Sequence, residues 1–249
     1  MCCFSAPVTA VSSTNIYARA STKNRQFIVY SMHLSTRSDV AMILPIPVAP
    51  QSNEQAVKFI NLENYEDFFK DMDKGFPMPQ NRSAGGFGGA FPAGAKKTLD
   101  VVSVGSFEAS FVPSIADFTR LDSRFRLPDK TWGKLPQYAK YGFAVFKLKP
   151  GASTIHPMAF EFPRADSFRL FFPTVHIHDG EVHPQTEFDH SLFCQVDNLA
   201  RSRVMHWMES PQPASGFISV DKAMGIVDAK SHCYLRKISG RQKNEDIWV

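Results

Sequence analysis

The chain has 249 residues, 43% hydrophobic and 21% charged, with 28 basic against 24 acidic side chains and a formal net charge of +4. That suits one soluble domain large enough to bury a core. No run of about 18 apolar residues exists, which excludes a membrane-spanning helix, and the densest basic stretch, "YLRKISGRQKNED", is balanced at once by Glu245 and Asp246, so no nucleic-acid patch is expected.

The aromatic set is 22 Phe against 6 Tyr and 3 Trp. Phe has no polar handle, so the bias points to core packing. The first residues show neither a basic region nor a continuous apolar stretch of signal-peptide type. With Cys2, Cys3, Cys194 and Cys233 as the four cysteines, reduced thiols and a cytoplasmic setting are expected.

Short strands dominate the first 50 residues, clearest in "QFIVYSMHL" and "VAMILPIPVAP", the latter stopped or held at a sheet edge by its prolines. "NLENYEDFFKDMDKGFP" spaces Leu62, Tyr65, Phe68, Phe69 and Met72 as a helix does, with Asn61 as cap and Gly75 and Pro77 as stop. Residues 77–97 are rich in Gly, Pro and Ala and read as a loop; no Walker pattern supports phosphate binding there. "TLDVVSV" and "SFEASFV" read as strands. "SIADFTRLD" reads as a short helix capped by Ser114, and "LPQYAKY" as a helical turn. Strands follow at "FAVFKLK", "PMAFEFP", "RLFFPTVHIH", "EVHP" and "FDHSLFCQV". "NLARSRVMHWMES" and "VDKAMGIVDA" have helical spacing, and "HCYLRKI" closes the chain as a strand. The expectation is a single α+β domain over 1–249, predominantly antiparallel β-sheet with a few short helices.

The chemistry concentrates in "TVHIHDGEVHP", residues 174–184. Asp179-Gly180 suits a two-residue hairpin turn. Such a hairpin would put His176, His178, Glu181 and His183 on one face and Val175, Ile177 and Val182 on the other. Three imidazoles and a carboxylate so placed could hold Zn²⁺ or Cu²⁺, with Fe²⁺ or Mn²⁺ where Glu181 ligates; Glu181 could also act as base on a metal-bound water. An outward-facing polar hairpin and a metal-free histidine acid–base pair fit the same pattern. In "FDHSLFC", flanking Phe188 and Leu192 mark His190 as a buried histidine, a candidate to orient the cluster.

The second feature is "MCCFS". Removal of Met1 would expose the Cys2 thiol beside its own α-amine, which can serve as its base. "MC" followed by "STNIYARAST" is similar to the opening of choloylglycine-type Ntn hydrolases, although "ARASTKN" holds no acid where that family carries an Asp. The resemblance implies an amidohydrolase with Cys2 as nucleophile and Arg19 as the substrate-orienting cation. Across residues 2–175, "CCFSAPV", "IYAR", "DVAMILPIPVAP", "VVSVGSFEASFVPS" and "YGFAVFKLKPG" resemble a bacterial domain family of unknown function, which implies no activity or ligand. Three readings follow: a transition-metal-binding protein, an N-terminal-cysteine amidohydrolase, and a non-catalytic scaffold or interaction protein. Whether it forms a homo-oligomer stays open.

Overall fold

The computed structural model describes residues 2–22, 24–77, 102–104, 107–127, 129–148, 151–154 and 156–249. The expected Gly/Pro-rich loop at 77–97 lies outside them beyond Pro77. In chain order the first strands are β1 (Cys2–Phe4), β2 (Ala10–Ser21), β3 (Arg25–Thr36), β4 (Val40–Ile46) and β5 (Lys58–Asn61), followed by helix α1 (Phe68–Lys74). Then come β6 (Val102–Val104), β7 (Phe107–Val112), helix α2 (Asp129–Gly133), β8 (Gly142–Leu148), β9 (Gly151–Thr154) and β10 (Met158–Pro163). The last third holds β11 (Phe171–Phe172), β12 (His176–Ile177), β13 (Gln185–Gln195), β14 (Met208–Glu209), β15 (Tyr234–Lys243) and β16 (Ile247–Trp248).

One sheet runs β12-β1-β4-β8-β7-β6; the other runs β14-β15-β13-β2-β3-β10-β5, with β9 also on β3, and β11 pairs with β16. Most pairings are antiparallel; β1–β12 and β2–β13 are parallel. This is the α+β, mainly antiparallel single domain that the strand-rich sequence predicts.

Residue alternation explains the layering. In β4, Val40, Met42, Leu44 and Ile46 enter a core that also takes Ile16, Ala18, Ile28, Tyr30 and Phe160 from the other sheet. Ala41 and Ile43 enter a second core on the outer face, under Phe118, Trp132 and Tyr138. Hence all seven residues of "VAMILPI" are buried, as a strand covered on both faces requires. Pro45 lies past the end of β1, which reaches only Met42 and Ile43 of β4. A third core covers the outer face of the second sheet, where Tyr17, Val29 and Phe193 meet Phe68, Phe69 and Met72 of α1.

The helical expectations hold in shorter pieces. The 61–75 segment divides into a 3₁₀ turn (Glu63–Tyr65) and α1, with Asn61 Oδ1 accepting from Glu63 N at 2.8 Å and the chain turning at Gly75. Ser114 Oγ donates to Asp117 Oδ2 at 2.7 Å, ahead of a 3₁₀ stretch (Ile115–Arg120). Residues 198–210 form one 3₁₀ turn (Arg201–Val204) and β14, and 220–229 form turns, not a helix. There the α-helix loses to anchoring: Arg19 Nε and Nη2 donate to the carbonyls of Ile226 and Gly225 at 2.6 and 2.7 Å, and Met224 and Gly225 turn with positive φ.

Candidate functional site

The "TVHIHDGEVHP" segment is not a hairpin. Gly180 has φ +81°, but Asp179 does not share the positive φ that a two-residue type I′ turn requires. Asp179 Oδ1 instead accepts from Glu181 N at 2.9 Å, closing a local turn. The chain before it, β12, lies parallel to β1 in the first sheet, with Cys2 opposite His176 and Cys3 opposite Ile177. The chain after it, β13, joins the second sheet. The physical reason is Asn244, whose side-chain amide sits where a returning strand would pair. It accepts from His176 N at 2.7 Å and donates to the carbonyls of His176 and His183 at 2.9 Å each. Asp246 completes the anchor by accepting from Thr174 N, Val175 N and Tyr138 Oη at 2.9, 3.1 and 2.6 Å.

The crossing separates the four residues expected on one face. His183 Nε2 meets Asp179 Oδ2 at 2.8 Å, and Glu181 pairs with Lys134. His176 and His178 do come together, and His190 of β13 joins them. His176 Nδ1 lies 2.9 Å from His178 Nε2, and His176 Nε2 lies 3.1 Å from His190 Nε2. Phe188 stands edge-on to His176 at 4.8 Å between ring centroids, and Phe4 lies 5.7 Å from the His178 ring. The three rings form a bonded row from near the surface at His178 to the buried His190.

A neutral imidazole has one N–H, so each link holds one proton and the row has a direction. His190 Nδ1 is buried with no partner of good hydrogen-bond geometry. With Nδ1 bare, His190 Nε2–H donates to His176 and His176 Nδ1–H donates to His178; with Nδ1–H turned to the Asp189 carbonyl, the row runs the other way. Burial holds all three rings neutral, lowering His178 to about 4, His190 to about 3 and His176 to about 2; at His176 a charge on either neighbouring ring lowers it further.

A row is poor geometry for a shared ion. The middle ring gives one nitrogen to each neighbour, so three lone pairs do not meet at one point. Among the described residues no group of three or more His, Cys, Asp or Glu side chains is arranged to hold a metal.

Cys2 opens β1, and Arg19 lies near the end of β2, the strand positions that the Ntn resemblance implies. The two strands belong to different sheets. Arg19 alternates with Ala18, which faces the inter-sheet core, and so lies on the opposite face; its guanidinium holds the 225–226 turn and stacks 5.1 Å over Phe27. Cys3, Cys194 and Cys233 are buried thiols outside any disulfide, and burial raises Cys194 and Cys233 above the usual thiol range. A surface cavity of 440 Å³ lies elsewhere, lined by Tyr65, Ser219, Lys222 and the carboxylates of Glu63, Glu66, Asp67 and Asp71. His190 was legible as buried from its flanking Phe and Leu; Asn244 and Asp246, in "QKNEDIWV", carried no signal.

No helix among the described residues is long and apolar enough to cross a membrane. The chain matches no family model and no curated protein. Among solved structures it is similar to a mutated baculovirus P35 after caspase cleavage, with TM-score 0.52 and 14% identity over 95% of this chain and 99% of that one. It is also similar to baculovirus P35 itself, with TM-score 0.47, 14% identity and 96% and 95% coverage. A chain of a caspase-8/P35 complex gives TM-score 0.47 and 13% identity, with 95% of each chain covered. At these identities the likeness is one of fold.

Proposed function

We propose that this chain acts by binding another protein, and that its partner is a caspase-type cysteine protease. The observation that carries the reading is the end-to-end correspondence of fold with P35 after caspase cleavage, at TM-score 0.52 with nearly all of both chains covered. Fold alone is an associational warrant, so the local chemistry matters beside it. The groups that an enzyme reading would use are engaged internally: Arg19 on two backbone carbonyls, His176 on two imidazoles, and Glu181 on Lys134. Those engagements favour an interaction protein over a catalyst of its own. The test is to mix the purified chain with an active caspase and resolve the mixture by gel filtration. Co-elution, or a specific cut in this chain, is the expected result; separate elution with an uncut chain overturns the proposal.

A further inference from the structure

The basic stretch forms most of β15 and lies at the rim of the second sheet. β15 pairs along its whole length with β13 on one side, from Tyr234↔Cys194 to Lys243↔Gln185. On its other side β14 meets only Tyr234 and Leu235. Arg236–Lys243 therefore presents an open edge among the described residues, eight residues or about 27 Å of backbone. Every residue of it is exposed except half-buried Ile238.

Four cations stand on this edge. Glu245 pairs with Lys243, and Asp246 is turned inward onto Tyr138, Thr174 and Val175. Arg236, Lys237 and Arg241 make no ion pair within 4 Å among the described residues. Across the ladder Lys237 faces Ser191, and Arg241 faces Glu187 without bonding it. Asp189 faces Ser239 on the same side as Lys237 and Arg241 and accepts from Ser13 N at 2.8 Å, and Asp73 of α1 lies near Lys237, burial raising its carboxyl while that cation opposes the rise.

We propose that this edge docks an extended acidic segment of a partner protein as an added β-strand. Backbone groups of this edge supply the hydrogen bonds on either side of Gly240, which has φ +73°, the Ser239 and Lys243 carbonyls being taken by Gln242 Nε2 and Glu245 N, and the cations choose the sign of the guest. A second copy of the same edge is repelled, because like charges would face each other. Alternation sets the pattern the guest needs. Lys237, Arg241 and Lys243 share one face with Ser239, and Ile238 lies on the other, packed against the inter-sheet core. A guest of alternating carboxylate and β-branched residues matches both faces. The proposal is independent of the caspase reading.

The probe is a fluorescein-labelled acetyl-(Glu-Val)₄ amide, with acetyl-(Lys-Val)₄ and a version N-methylated at alternate residues as controls. Anisotropy should show saturable binding of the acidic peptide alone, with protection of the 236–243 amides from deuterium exchange. Lys237→Glu/Arg241→Glu, both surface changes, should weaken binding at least about tenfold while the far-UV spectrum stays the same. Absence of saturable binding overturns the proposal. So does equal binding of the N-methylated peptide, or equal competition by a single-stranded oligonucleotide, since either would mark a surface for polyanions in general.

Discussion

His176 spends both ring nitrogens on other imidazoles, and this gives the protein a definite acid response. The unfolded chain takes up these protons near the ordinary histidine value of about 6.5. The folded chain refuses them down to about 4, 3 and 2 at His178, His190 and His176. Above pH ~6.5 the three rings are neutral in both states and add no pH dependence. As pH falls below that value, the unfolded state is favoured by up to about 1.4 kcal/mol per pH unit for each ring. His190→Leu should cost about 1–3 kcal/mol at pH 7, because His176 Nε2 loses its partner, and should flatten the loss between pH 7 and pH 5. Urea denaturation at both pH values measures this; parallel losses in the two proteins would contradict it. Asn244→Ala removes three hydrogen bonds from the crossing and should cost about 1–3 kcal/mol, with faster amide exchange at residues 174–178. Unchanged exchange would show that Asn244 does not anchor the segment.

At the scale of elements, legibility followed locality. "VAMILPI" announces β4 because a strand covered on both faces is apolar throughout, and "FAVFKLK" announces β8 by its buried run Phe143–Phe146, which Lys147 ends half-exposed. "PMAFEFP" announces β10 for a similar reason, with five of its seven residues buried or packed on the inter-sheet core. The 174–184 segment misled because its partner is remote. Asp-Gly is a local signal for a hairpin, but Asn244, more than sixty residues away, takes the pairing groups. The 220–229 segment fails as a helix for a like cause, the grip of Arg19. Close packing between neighbouring strands makes its own prediction. A Cβ on Gly142 would stand 2.5 Å from Phe111 Cε2 and 2.7 Å from Cζ. Gly142→Ala should therefore destabilise by about 1–3 kcal/mol through overpacking between β7 and β8. A denaturation midpoint at or above that of the parent would contradict that packing.

Among the described residues two large sheets enclose one core, with a second and third core outside them and the β11–β16 pair beside them. The fold class was readable from strand density, and the Phe bias from the demand of three cores. The site was readable only in part: the sequence picked out His176, His178 and His190, but their order in a row depends on two sheets meeting. Glu181 and His183 were drawn into the expected face by the hairpin geometry, and they separate once that geometry is absent. The most direct measurement is caspase turnover of a fluorogenic peptide as this chain is added in rising amounts. The account predicts that turnover falls and reaches its end point near one chain per protease active site. Turnover unchanged at a tenfold molar excess, with no complex and no cut chain, would contradict it.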